Sequence, residues 1–184
     1  MGNTLWFLLE TVGQLLATAC LLRAYMHWLG IASRDPIGQF VIAVTDWLVK
    51  PLRRIMPAIS RIDWASLLAA LVVSVAMAIV LVLLSGIQAA PVFGALVLTA
   101  VVWLIKWSVF LLILVVIAHA VLSWVNPHAP IAPTLDALSR PFLAPIRKLV
   151  PLVGGVDLSP LVLIIGLQVV LAFIQNVFGR FLIG

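Results

Sequence analysis

Two stretches of the chain, Ala65 to Ser85 and Leu158 to Phe178, carry no charged residue at all. Each is about as long as the helix that crosses a hydrocarbon core of roughly 30 Å. Leu5 to Trp28 is equally long and is interrupted by Glu10 and Arg23, while Leu96 to Trp124 is interrupted only by Lys106. The pattern therefore predicts four transmembrane helices, at about 5–28, 64–85, 96–124 and 158–181. Between the first and second, Ile37, Phe40, Val41, Val44, Leu48, Leu52 and Ile55 recur at three- and four-residue steps. Asp46, Lys50, Arg53 and Arg54 fall mostly on the other side, which predicts an amphipathic helix over 37–56 lying in the headgroup plane. A second such segment, 135–150, contains Pro141 and Pro145. Proline inside a helix removes a hydrogen bond and kinks the axis, so this segment is expected to split into two pieces.

The pattern repeats. A shift of 94 residues lays Pro51 on Pro145, Arg53 on Arg147, Arg54 on Lys148, Pro57 on Pro151 and Asp63 on Asp157. Upstream the shift becomes 96, laying Glu10 on Lys106, Arg23 on His119 and Trp28 on Trp124. The expected fold is all-α: residues 1–86 and 87–184 form two parallel-duplicated hairpin units, each with its interfacial helix. An even number of spans per unit brings both copies in from the same side, related by a pseudo-twofold along the membrane normal.

Composition removes the soluble alternative, because 65% of the 184 residues are apolar and 9% are charged. The first span lacks a basic segment before it and a small-residue cleavage site after it, so it reads as a span rather than a signal peptide. The net charge of +5 is concentrated: eight of the eleven basic residues lie in the two connecting segments. That distribution places both segments in the cytoplasm and both termini outside, with anionic headgroups, not nucleic acid, as the partner. Cys20 is alone, which excludes an internal disulfide and a cysteine metal motif. His27, His119 and His128 have no metal-ligand spacing, and no cofactor is expected.

The segment Lys50-Pro-Leu-Arg-Arg-Ile-Met-Pro57 followed by Ile62-Asp63 resembles the signature of the YggT family. So does Ala144-Pro-Ile-Arg-Lys-Leu-Val-Pro151 followed by Gly154-Gly155-Val-Asp157-Leu-Ser-Pro160, and Ser123-Trp-Val-Asn-Pro127 matches that family's turn. The resemblance covers the chain in the two-repeat bacterial form. It implies a bacterial inner-membrane protein linked to osmotic or salt tolerance, with plastid and cyanobacterial relatives linked to cytochrome haem-attachment assembly and nucleoid organisation. It implies no enzymatic activity. In the first copy Ser60-Arg61 stands where the second has its diglycine.

The candidate site residues follow from these two motifs. Lys50, Arg53, Arg54, Arg147 and Lys148 are candidates for binding phosphate, lipid headgroups or a partner protein, since guanidinium forks suit phosphate. Pro51, Pro57, Pro145 and Pro151 frame the turns, with Gly154 and Gly155 in the second. Asp63 and Asp157 precede apolar helices, the place of a helix cap, and could alternatively hold a cation or a partner's basic residue. Glu10 and Lys106 occupy equivalent positions with opposite sign and suggest a salt bridge in the outer half, against simple snorkelling. Ser66, Ala70, Ser74 and Ala78 form a packing seam that can serve this chain or a second protomer, and Gln168 is a polar group within a span. No catalytic triad, carboxylate pair or phosphate loop is present, so a scaffold, assembly or stress-tolerance role ranks first and an oligomeric channel for ions or small solutes second.

Overall fold

The structure is a computed structural model and describes residues 2–31, 35–54, 56, 62–85, 93–150 and 157–182. The described residues form six helices: α1 (Gly2–Leu29), α2 (Pro36–Arg53), α3 (Trp64–Ser85), α4 (Phe93–Val125), α5 (Ala132–Arg147) and α6 (Ser159–Leu182). Four are long and apolar enough to cross a membrane, over Trp6–Leu29, Trp64–Leu84, Gly94–Val125 and Ser159–Phe178. The protein is an all-helical membrane protein. α4, at 33 residues, is about 50 Å long at the helical rise and overshoots a core of roughly 30 Å.

Local chemistry sets the helix ends. α1 stops at Gly30, whose φ of 70° closes a left-handed cap: its N–H donates to the His27 carbonyl, and that of Ile31 to Met26. α2 starts at Asp35, whose carboxylate accepts from the N–H groups of Ile37 and Gly38, with Pro36 already in helical register.

Packing begins with α1 on α3. Ala17, Cys20 and Ala24 are buried on α1, Ser66, Ala70, Ser74 and Ala78 are all buried on α3, and Cys20 joins Ala70 in one cluster. The small-residue seam is thus filled within the chain. Small side chains let the two backbones close up; a Cβ at Gly13 would stand 2.6 Å from the Met77 sulfur. α2 lays Gly38, Val41, Thr45 and Val49 inward, and Val49 joins Cys20, Ala65, Ala69 and Ala70 in one core cluster. A second cluster joins Met26 of α1 to Leu111 and Val115 of α4 and to Leu135 and Leu138 of α5. α3 also packs on α4, whereas α6 packs on α4 and α5.

One expectation needs correction. α5 runs unbroken through Pro141 and Pro145. The prolines are four residues apart and both exposed, so the backbone carbonyls they leave unpaired fall on one open side and the helix continues along its buried face. α2 presents apolar groups on more than one side: Val41 and Val49 face protein, while Phe40 and Trp47 stay open.

Candidate functional site: twin arginine-carboxylate clasps

Asp63 is fully buried just ahead of α3. Its Oδ2 lies 2.6 Å from Arg53 Nη2 and accepts the Ser66 hydroxyl at 2.8 Å, while Oδ1 accepts the Ser66 N–H. Burial pushes this carboxyl up, yet the hydrogen bonds from Arg53 and Ser66 outweigh it and hold the group below the usual carboxylate range. The second copy repeats the arrangement at the same ten-residue separation. Arg147 Nε donates to Asp157 Oδ2 at 2.8 Å, and Asp157 Oδ1 accepts the Ser159 N–H at 2.9 Å. Here too burial raises the carboxyl, and donations from Ser159 and Arg147 bring it down. Each clasp ties the C-terminal end of a connecting helix to the entry of the following span.

The predicted caps therefore do more than cap. Each also neutralises the first cation of its basic pair, leaving the second, Arg54 or Lys148, exposed. Lys50 is exposed as well and pairs with Asp46 at 2.8 Å. Pro51 sits in the last turn of α2 and Pro145 in that of α5. Pro57, Pro151, Gly154 and Gly155 lie outside the described residues.

Arg23, which the sequence shows only as a charge interrupting the first span, has a larger part in the fold. It is 8% exposed, donates to the Thr45 hydroxyl at 2.8 Å and pairs with Asp46 at 3.0 Å, so α1 and α2 share an ionic lock. Lys50 and Arg23 together hold the Asp46 carboxyl below its ordinary range. A charged residue in the first span, with Asp46 on the polar side of the following helix, was the signal available. The second copy carries His119, Ser139 and Arg140 at the corresponding positions, so the lock is rewired. Arg140 pairs with Asp136, and His119 Nε2 approaches Arg147 at 3.5 Å.

The two copies meet at this end. The Thr134 hydroxyl donates to Asp35 Oδ1 at 2.6 Å, the oxygen that does not cap α2, and the Tyr25 hydroxyl donates to the Leu138 carbonyl at 2.7 Å. Both connecting helices and both clasps thus stand on one end of the bundle. An apolar cleft of about 570 Å³ opens beside Asp63, walled by Tyr25, Trp28, Leu112, Phe142 and Leu167.

The structure does not bring Glu10 and Lys106 together: among the described residues five ion pairs form, and neither residue enters one. Glu10 is exposed near the start of α1, whereas Lys106 lies 13 residues into α4, about 20 Å at the helical rise, so their depths do not match. Gln168 is exposed on α6. Among the described residues no three His, Cys, Asp or Glu side chains gather in a metal-binding group.

Comparison with known proteins agrees with the repeat. The chain is 40% identical over 175 residues to the "Uncharacterized protein YggT" of Escherichia coli K12, covering 91% of this chain and 87% of that one. It is 36% identical over 183 residues to the "Uncharacterized protein in proC 3'region" of Vibrio alginolyticus, covering 99% and 94%. An uncharacterized protein of Pseudomonas aeruginosa is 32% identical over 176 residues, covering 92% and 87%. No solved structure matches. The CCB3/YggT family matches twice, over residues 2–84 and 98–178, once for each copy of the clasp. The chain belongs to the CCB3/YggT family.

Proposed function

We propose that the protein is a non-enzymatic scaffold or assembly factor of the bacterial inner membrane, acting through two cytoplasmic basic elbows, with both termini on the periplasmic side. In this reading residues 1–86 and 87–184 are two repeats whose connecting helices lie in the headgroup layer. The observation that carries it is the pair of clasps, Arg53–Asp63 and Arg147–Asp157, held on one end of the bundle. Attraction to anionic headgroups needs charge but no fixed geometry. Here the first cation of each elbow is locked to a carboxylate, and Pro51 or Pro145 stands two residues before it in the last turn of its helix. The neighbouring Arg54 and Lys148 are thereby presented at set positions, as recognition of a phosphate or carboxylate on a partner membrane protein requires. Tolerance of osmotic or salt stress would follow from the assembly so supported.

Photo-crosslinking in cells from positions 54 and 148 tests this. The expected result is the same discrete membrane-protein adduct from both elbows, lost on charge reversal of the opposite elbow. Lipid adducts alone would overturn it. A second reading, an oligomeric channel for ions or small solutes, is favoured by one feature, the exposed amides Gln168, Gln175 and Asn176 on α6. Purified protein in liposomes separates the two: the scaffold passes no ions, whereas a channel gives flux that Gln168→Leu and Glu10→Gln alter.

A further inference from the structure

Gln168 lies nine residues beyond Ser159, the first residue of α6. At the helical rise that is about 14 Å along the axis, near the middle of a core of roughly 30 Å. The side chain is exposed, and among the described residues it makes no hydrogen bond. A primary amide facing acyl chains at this depth has neither donor nor acceptor to replace water, a costly arrangement.

The other repeat shows which side of the helix this is. The 94-residue shift lays Ser74 on Gln168 and Ala78 on Ala172. In α3 both positions are buried, at 0% and 1% exposure, whereas in α6 both are exposed. The difference follows from the neighbours: α3 packs on both α1 and α4, while α6 has α4 and the short α5. α6 is also the least buried of the four spans, with 6% of its window covered against 28% or more in the others. The positions that one repeat covers with a transmembrane helix stand open in the other, and an amide marks them.

We infer that the chain self-associates through this face of α6, placing Gln168 against its counterpart in a second copy. Acyl chains can fill the face but cannot bond the amide. A second copy can: a carboxamide carries both donor and acceptor, so two related by a twofold along the membrane normal satisfy each other, making the contact self-complementary. Insertion in one orientation presents the two helices in parallel, as that axis requires. Ala172, one turn on, leaves room for the backbones to approach, and Leu161 and Ile165 extend the same exposed side with apolar contact. The inference concerns a different surface from the basic elbows and does not depend on what they bind.

Single-molecule photobleaching of the full chain in liposomes measures the association directly. The wild type is expected to form dimers, Gln168→Leu to weaken them about tenfold, the effect of one interhelical hydrogen bond in a membrane, and Gln168→Asn to weaken them less. Leucine suits lipid, so the variant should remain folded, which its thermal transition verifies. Cysteine crosslinking in a Cys20→Ala background adds the register: positions 168 and 172 should join and exposed position 170, on the opposite side, should not. A monomeric wild type overturns the inference, as does a dimer insensitive to Gln168→Leu or one that joins at position 170 as readily as at 168.

Discussion

At the scale of single residues, the clasps make unequal contributions. Asp63 has no exposure and Asp157 has 30%, so solvent screens the second pair more. Asp63→Asn is expected to lower stability by about 1.5–3 kcal/mol, the range for a hydrogen bond to a charged group, and Asp157→Asn by less. Thermal unfolding in detergent measures both. Each carboxyl titrates below its ordinary value in the fold, so its stabilisation is complete above the unfolded value near 4. That stabilisation is lost as pH falls through the lower folded value. The wild type should therefore lose stability on acidification below about pH 4, and Asp63→Asn should flatten that decline. The sequence disclosed Asp63 and Asp157 as caps because capping is local. Their arginines stand ten residues away, and only the tertiary fold brings the two groups within 3 Å.

At the scale of helices, close approach governs α1 and α3. A Cβ on Gly13 would meet the Met77 thioether at 2.6 Å. That thioether is the flexible end of its side chain, so Gly13→Ala should cost little. Gly13→Val adds two methyl groups to the same contact and is expected to cost about 1–3 kcal/mol by overpacking. Met77→Ala should recover much of that loss in the double mutant, as unfolding of the single and double variants would show; full additivity would place the strain elsewhere. The seam of Ser66, Ala70, Ser74 and Ala78 was visible as a small-residue period, but its partner was not, since a face of small residues fits any close helix. α5 was misread for a related reason. Proline rules concern one backbone in isolation, whereas Leu135, Leu138 and Leu143 anchor the other side of this helix in the core.

At the scale of the whole molecule, the hydrogen bonds from Thr134 to Asp35 and from Tyr25 to Leu138 set the two connecting helices side by side. Arg54→Cys and Lys148→Cys should consequently react with an impermeant maleimide from the same face of sealed vesicles; reaction from opposite faces would refute the shared end. By itself the sequence determined that lipid is the solvent, that four segments are long and apolar enough to cross it and that one motif occurs twice, because hydrophobic runs and periodicities are properties of the linear chain. Tertiary structure alone decided which charges meet. Arg23 finds Asp46, Arg53 finds Asp63, and Glu10 and Lys106 stay apart, because ion pairing depends on helix depth and rotation, which linear spacing does not contain.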